Sequence, residues 1–200
     1  MREIDNSINR VSSMEFISLA IPDVVLIKHR QYADERGSSM ELFRHQEFVA
    51  HCCRNRGDRG DVNFVQDNLS CSRQGTLRGL HYQIERPQGK LVQVISGTIF
   101  DVAVDLRRTS PTYGQWVGLH LDADSPMSLW IPPGFAHGFY VLSELATVLY
   151  KCTDYYSPEY ERTLHWADPE LAIVWPLMEN IPLVLSDKDR QAPLLTLQTD

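Results

Sequence analysis

The chain of 200 residues carries a formal net charge of −7, with 43% hydrophobic and 22% charged residues. This length suits one domain with a complete hydrophobic core, and the composition is ordinary for a globular protein. The acidic balance argues against nucleic acid as a partner, because binding to a duplex depends on clustered cations. Residues 1–6 lack the apolar core of a signal peptide, and no apolar run is long enough to cross a bilayer. We therefore expect a cytoplasmic protein that binds neither nucleic acid nor membrane.

The cysteines agree with this compartment. Cys52 and Cys53 are adjacent, and the sequence contains no Cys-x-x-Cys pair, so the spacing matches no zinc site. Free thiols in a reducing cytosol are the simpler interpretation.

The first part of the chain changes from a polar arm to β-type patterning. Residues 1–14 are polar and unpatterned and predict a flexible N-terminal arm, so that 15–200 form the single domain. From Phe16 onward, β-branched and aromatic residues recur between turn residues, which favours strands. We predict two strands, a turn, a short helix and an exposed loop at 16–21, 24–27, 34–37, 40–50 and 54–61.

Closely spaced strands make up the middle of the chain. They are predicted at 63–67, 91–95, 98–106, 115–121, 128–131, 138–142 and 146–153. Phe100, Val102 and Val104 share one face by the period of two. Asp101 and Asp105 lie on the other face, and we interpret them as structural.

Many short strands separated by turn signals indicate a sandwich or a barrel. The predicted fold is all-β, a cupin jelly-roll β-barrel with a few short helices, because this architecture encloses a ligand cavity between two sheets. One of the helices is a short turn near the C-terminus, with Ser186 as its cap.

Two motifs place histidines in such a barrel. Pro132-Pro-Gly-Phe-Ala-His137 fits the P-x-G-x-x-H of the second cupin motif, and Gly75 followed by five residues and His81 fits the start of the first. Metal-binding cupins continue with H-x-H and a glutamate, but here Gln83 and Lys90 occupy those positions. The site would lose two ligands and gain a positive charge. We therefore predict no metal and no cofactor.

A cation beside two imidazoles suits proton transfer next to a carbonyl. A histidine supplies a base with a pKa near neutrality, and Lys90 supplies fixed positive charge where the enolate oxygen develops. A proton donor on the opposite face would complete an epimerase.

The resemblance to a known family rests on blocks spread over most of the chain. They are Phe64-Val-Gln-Asp-Asn68, Leu77-Arg-Gly-Leu-His-Tyr-Gln83, Pro87-Gln-Gly-Lys-Leu-Val92, Phe100-Asp-Val-Ala-Val-Asp105, Ser110-Pro-Thr-Tyr-Gly114, Leu129-Trp-Ile-Pro132, Gly134-Phe-Ala-His-Gly-Phe139, Tyr150-Lys-Cys-Thr-Asp-Tyr-Tyr156 and Leu185-Ser-Asp-Lys-Asp189. In this order, over about residues 16–195, they resemble the dTDP-4-dehydrorhamnose 3,5-epimerase family. The resemblance implies a metal-free cupin, usually a homodimer, that acts on a dTDP-4-keto-6-deoxyhexose in deoxysugar (rhamnose-like) biosynthesis.

The resemblance also implies roles for individual residues. His81 would remove the protons at C3 and C5, with Asp189 orienting it. Lys90 would face the enolate oxygen at C4, and Tyr150 would donate a proton on the opposite face. The implied substrate-binding residues are Arg36, which would reach the diphosphate, Glu41, Gln66, Asn68, Arg78, His137, Tyr155, Tyr156 and Lys188, with the segment from Arg36 to Glu41 near the partner's site in a dimer.

Two departures concern the edges of the site. Ser38-Ser39-Met40 follows Arg36-Gly37 where the family commonly has aromatic residues, which bears on base selectivity. The loop from Cys52 to Asp61 is longer than usual, and Leu69 stands where a histidine is common.

Other interpretations of the residues stay open at this point. Ser186-x-x-Asp189 also fits a helix-capping pair, which is compatible with a role beside His81. A single-carbon epimerase, a metal-dependent cupin oxygenase and a non-catalytic sugar-binding barrel are the alternative functions.

Overall fold

The computed structural model describes residues 13–53 and 62–197. The strands are β1 (Met14–Ser18), β2 (Val25–His29), β3 (Gln31–Asp34), β4 (Gly37–Met40), β5 (Gln66–Arg73), β6 (Leu77–Gln83), β7 (Lys90–Ser96), β8 (Thr98–Asp105), β9 (Trp116–Asp122), β10 (Met127–Ile131), β11 (Phe135–Val141), β12 (Leu145–Cys152) and β13 (Glu161–Thr163). The helices are α1 (His45–Cys52) and α2 (Asp187–Arg190), and a 3-10 turn follows at Leu195–Leu197.

Two antiparallel sheets form the body of the molecule. The larger has six strands in the order β1-β2-β10-β7-β12-β5, and the smaller has five in the order β13-β6-β11-β8-β9. Strands β3 and β4 form a separate hairpin. The chain alternates between the sheets, as expected for a jelly roll. The prediction of an all-β cupin jelly roll with few helices is confirmed.

The central strands β8 and β11 of the smaller sheet are buried on both faces along nearly their whole length, and the alternation along β8 shows why. Ile99 and Ala103 point into the space between the sheets, where they join one apolar cluster. Phe100, Val102 and Val104 point to the other face, as predicted, and pack against the C-terminal segment in a second cluster. The strand is therefore an almost continuous apolar run.

A third cluster covers part of the outer face of the larger sheet. Phe48 of α1, which is 1% exposed, packs edge-to-face on Trp130 of β10 with ring centroids 4.9 Å apart. Phe43 and Phe64 complete this aromatic group. Helix α1 is therefore held to the sheet by its aromatic face.

The sequence predictions differ from the structure mainly at element boundaries. The helix predicted at 40–50 lies at His45–Cys52, and the strand predicted at 63–67 lies at Gln66–Arg73. The predicted turn at 34–37 joins β3 to β4, whereas the strands β3, β4, β6 and β13 themselves were not predicted.

The polar interruptions of β6 account for its absence from the prediction. Its alternation is broken within Leu77–Gln83, where Leu77 and Leu80 are both buried outside the barrel although they are three residues apart.

The folded part of the chain begins earlier than the predicted boundary at residue 15. Met14 begins β1 and pairs with His29, and Ser13 donates a hydrogen bond to Glu41, so both residues belong to the folded body. The rest of the predicted arm, and the loop predicted at 54–61, lie outside the described residues. Within the described ranges, no helix has the length and apolar character needed to span a membrane.

A bulge in β6 determines which side chains enter the barrel. His81 pairs with His137 and Arg78 with Phe139, so three steps along β6 match two along β11. The extra residue places Arg78 and His81 on the same face, which a regular strand would not do. Gly79 has φ +120° at this point, and a Cβ there would lie 2.6 Å from the Cα of Gly138. The bulge therefore depends on two glycines in contact.

Gly79→Ala should destabilise the fold by about 3 kcal/mol, because it adds backbone strain to a steric overlap. Gly114→Ala is the matched control: φ is +76° there, and nothing lies within 4 Å of the position that a Cβ would occupy. It should cost about 1 kcal/mol. Urea unfolding of both variants measures the difference, and equal losses would contradict the steric argument.

Candidate active site

A cavity of about 190 Å³ lies between the two sheets. Its lining is polar and mostly ionisable. The residues are Ser70, Arg78, His81, Lys90, His137, Phe139, Tyr150, Glu161 and Lys188.

The two sheets contribute different chemistry to this cavity. The smaller sheet supplies His81 from β6 and His137 from β11. The larger sheet supplies Lys90 from β7 and Tyr150 from β12. Because the sheets face each other, His81 and Tyr150 stand on opposite walls.

The imidazole of His81 is hydrogen-bonded to the buried carboxylate of Asp189. Its Nε2 lies 2.6 Å from Oδ1 of Asp189, whose residue is 2% exposed. The backbone N–H of Asp189 in turn donates to Oγ of Ser186, the N-cap of α2. Both expectations for Asp189, the cap and the contact with His81, are therefore met by the same short helix.

Burial lowers the pKa of His81 below its usual 6.5, and the Asp189 carboxylate opposes this only in part. Burial alone would raise the pKa of Asp189, but hydrogen bonds from His81 and Ser186 lower it overall. At neutral pH the pair is therefore a neutral imidazole and a carboxylate. The carboxylate can only accept, so the imidazole proton lies on Nε2 and Nδ1 keeps its lone pair.

Lys90 brings a positive charge into this enclosed space. Its Nζ lies 3.5 Å from the carbonyl oxygen of His81. Burial lowers the pKa of Lys90 from 10.5, while the carboxylates of Asp101 and Glu161 act in the opposite direction. The ammonium form is the one that can stabilise an oxyanion.

Tyr150 faces the base from the other sheet with its proton in place. Burial raises the pKa of its phenol above 10, and the nearby Arg78 opposes this shift. The side chain can therefore donate a proton at neutral pH.

His137 has its own carboxylate. Its Nε2 lies 2.9 Å from Oδ2 of Asp101, and both residues are buried. Asp101, which was interpreted as structural from the sequence, therefore contacts a cavity histidine. Asp101 can reach His137 because it lies opposite Phe139 on the neighbouring strand, two residues from His137. The sequence pattern alone does not show this contact.

Three lining residues were missed by the sequence analysis. Ser70 and Phe139 follow Asn68 and His137 by two residues and could have been found from the strand period. The Oγ of Ser70 is buried and has no hydrogen-bond partner among the described residues. Glu161 had no such signal; it lies 2.8 Å from Nζ of Lys188 and accepts a bond from the Tyr156 hydroxyl.

Arg78 and Lys188, two further cations predicted for substrate binding, both line the cavity. Arg78 donates from Nε to Oγ of Ser72 at 3.0 Å.

Other predicted residues lie at the rim or elsewhere. The Gln66 carboxamide accepts from the backbone N–H of Tyr156 at 2.8 Å and donates to Asn68. Tyr155 and Tyr156 are 57% and 49% exposed. These four residues form one group beside the cavity.

Arg36 and Glu41 are not brought to the cavity of their own chain. Arg36 lies in the exposed β3–β4 turn, 2.6 Å from Asp34. Glu41 is bound by Arg44 and by Ser13.

No group of three or more histidine, cysteine, aspartate or glutamate side chains within residues 13–53 and 62–197 is arranged to hold a metal ion. Lys90 occupies the sequence position at which metal-binding cupins have a glutamate, and its side chain lines the cavity.

Known proteins match this chain over most of its length. The family model for dTDP-4-dehydrorhamnose 3,5-epimerase matches residues 18–196. A dTDP-4-dehydrorhamnose 3,5-epimerase of Pseudomonas aeruginosa is 54% identical over 89% of this chain and 94% of its own. One of Salmonella typhimurium is 49% identical over 91% of this chain and 96% of its own.

Solved structures agree with this match. A dTDP-6-deoxy-D-glucose-3,5-epimerase from Legionella pneumophila, in complex with dTDP-4-keto-L-rhamnose, is 49% identical with a TM-score of 0.85 and covers 92% of this chain and 94% of that one. A 3'-monoepimerase from Streptomyces bikiniensis, in complex with dTDP-quinovose, is 34% identical with a TM-score of 0.79 and covers 89% and 86%. The chain is therefore an enzyme that belongs to the dTDP-4-dehydrorhamnose 3,5-epimerase family.

Proposed function

We propose that the protein inverts C3 and C5 of a dTDP-4-keto-6-deoxyhexose, as a step of rhamnose-type deoxysugar synthesis. The observation that carries this proposal is that His81, paired with Asp189, and Tyr150 lie on opposite walls of one cavity, with Lys90 beside them. The ligand solved with the Legionella pneumophila relative, dTDP-4-keto-L-rhamnose, supports the same substrate class.

In the first step His81 acts as the base. Its Nδ1 lone pair takes the proton from the carbon beside the C4 ketone, and the electrons of the broken C–H bond move to the ketone oxygen. The imidazolium that forms is stabilised by Asp189, 2.6 Å from Nε2. A positioned general base contributes about 10²–10⁴-fold.

Lys90 stabilises the enolate oxygen produced by this step. One well-placed donor to an oxyanion is worth about 3–4 kcal/mol in a site that excludes water. Because C3 and C5 both flank the C4 carbonyl, one ammonium serves both deprotonations.

Inversion requires that the proton return to the opposite face. Tyr150 donates its phenolic proton there and the enolate collapses to the ketone. The imidazolium of His81 then releases its proton to solvent, and the phenolate recovers one from solvent. The placement of Tyr150 on the other sheet gives the reaction its stereochemical outcome.

The nucleotide end of the substrate is assigned to the remaining predicted residues. Arg78 and Lys188 supply positive charge at the cavity, and Gln66, Asn68 and the two tyrosines lie along its rim. Arg36 and Glu41 lie elsewhere in the chain, so we place their substrate contacts in the partner's site of a homodimer.

Single-carbon epimerisation is the second candidate, because the Streptomyces bikiniensis relative is a 3'-monoepimerase. The same residues would serve it, with only one of the two carbons reaching His81.

His81→Asn should lower turnover by about 10²–10⁴-fold, because the variant has no base of suitable pKa. Nuclear magnetic resonance in D₂O, with a dTDP-4-keto-6-deoxyhexose as substrate, should show deuterium at C3 and C5 with the natural enzyme and almost none with the variant. His120→Asn, an exposed histidine of β9, should exchange at the natural rate. Deuterium at one carbon only would select the single-carbon reaction, and its absence from both would reject the proposed function.

Tyr150→Phe should separate exchange from inversion. His81 can still remove a proton and return a deuteron to the same face, so exchange with retained configuration continues while formation of the inverted product slows by about 10²-fold or more. Both rates can be read from one spectrum. Equal loss of exchange and inversion would show that Tyr150 does not act as the donor.

The pH dependence should reflect the perturbed base and cation. His81 must be neutral, so kcat/KM should fall only as pH drops through its lowered pKa, below 6.5, and the alkaline limb should lie below 10.5, where Lys90 loses its proton. Asp189→Asn removes a group that raises the pKa of His81, so the acid limb should move to lower pH while the plateau falls. An acid limb that moved upward in this variant would contradict the assigned pair.

A further inference from the structure

Cys152 is a buried thiol that the proposed mechanism does not use, although it lies directly beside Lys90. The two residues are partners in the register of β12 and β7. On its other side Lys90 pairs with Ile131 of β10. Cys152 is 0% exposed, and burial raises the pKa of its thiol. Of the two side chains flanking Lys90 in the sheet, only that of Cys152 is polar, and the Nζ of Lys90 lies 3.5 Å from the carbonyl oxygen of His81.

A chain of hydrogen bonds holds this sulfur in place. The backbone N–H of Tyr156 donates to Oε1 of Gln66 at 2.8 Å. The Gln66 amide nitrogen donates to Oδ1 of Asn68 at 3.1 Å, and the Asn68 amide nitrogen donates to Sγ of Cys152 at 3.6 Å.

The direction of this chain is fixed at its start. A backbone N–H can only donate, so the oxygen of Gln66 must face Tyr156 and its NH₂ must face Asn68. The oxygen of Asn68 is then engaged, and its NH₂ must face the sulfur. Every donor therefore points toward Cys152, and the sulfur is the terminal acceptor.

We propose that Cys152 is a positioning residue for Lys90: the sulfur, oriented by Asn68 and Gln66, fixes the ammonium at the enolate oxygen and ties its placement to the segment that carries Tyr156. This inference rests on the role of Lys90 in the proposed function. It extends that function because the chain begins at the exposed aromatic segment beside the cavity and ends at the cation inside it. Contacts made by a remote part of the substrate at that segment would thereby help to place a group at the reacting centre.

Two variants separate positioning from packing. Cys152→Ala removes the acceptor, and Cys152→Ser keeps a smaller one. We expect Cys152→Ala to lower kcat about tenfold with KM within twofold of the natural value, and Cys152→Ser to keep more than half of the natural kcat. Cys71→Ala is the matched control, because Cys71 is an exposed cysteine of the adjacent strand β5, and it should leave kcat unchanged.

The pH at which kcat falls on the alkaline side distinguishes positioning from packing, because a loss of packing alone would not change it. The charged or titratable groups facing Lys90 from other elements are Arg78 and His81 of β6, Asp101 of β8, His137 of β11, Tyr150 of β12, Glu161 of β13 and Lys188 of α2, in addition to Cys152. None of these changes in the variants. Loss of the sulfur beside the ammonium should therefore shift the alkaline limb to lower pH in Cys152→Ala, with partial return in Cys152→Ser and no shift in Cys71→Ala.

The outcomes are distinct. Natural kcat and an unshifted alkaline limb in Cys152→Ala would overturn the inference, and so would equal losses in the alanine and serine variants together with a raised KM and a lowered melting temperature. If the natural enzyme itself incorporates no deuterium at C3 or C5, the proposed function fails first. Exchange by the natural enzyme with an unaffected Cys152→Ala rejects only the role of Cys152.

Discussion

The hydrogen bond between Asp189 and His81 is the interaction on which the site depends. A carboxylate that is 2% exposed is costly unless it is paired, and here the partner is the imidazole nitrogen 2.6 Å away. The pairing fixes one tautomer and one ring orientation, because the second nitrogen is left without a proton. Ser186 caps the short helix that carries Asp189, so a local backbone motif holds the carboxylate behind the ring. In the proposed reaction, the positions of Lys90 and Tyr150 matter relative to that oriented imidazole.

The two-layered architecture determines how the walls of the cavity are placed and which groups line them. Apolar side chains from both sheets fill most of the space between them, and this packing fixes the separation of the two walls. The remaining space is lined by ionisable groups in a low-dielectric setting, where burial and neighbouring charge oppose each other at His81 and Lys90. Because these effects oppose each other, His81 can be neutral and Lys90 can be charged, as the proposed reaction needs. A flexible surface site could not hold these opposing effects in balance.

Much of the architecture could be predicted because it depends on local pattern. The alternation of Phe100, Val102 and Val104 correctly assigned one face of β8, and closely spaced strands indicated the jelly roll. The bulge in β6 could not be predicted, since it depends on contact between Gly79 and Gly138, which are distant in sequence. Site residues quoted in the matching blocks, such as His81 and Lys90, do line the cavity. Asp101 behind His137 and Glu161 beside Lys188 are products of tertiary pairing, for which the sequence offers no periodic signal.

His81 and Asp189 are separated by 108 positions along the chain. Glu161 is already the last cavity residue before α2, so a growing polypeptide contains nearly the whole barrel before Lys188 and Asp189 are made. During that interval the imidazole has no carboxylate to orient it or to balance its charge. Synthesis from the N-terminus thus completes the walls of the cavity before it supplies the carboxylate that orients His81, and a chain that ended prematurely would keep the cavity but lose that contact.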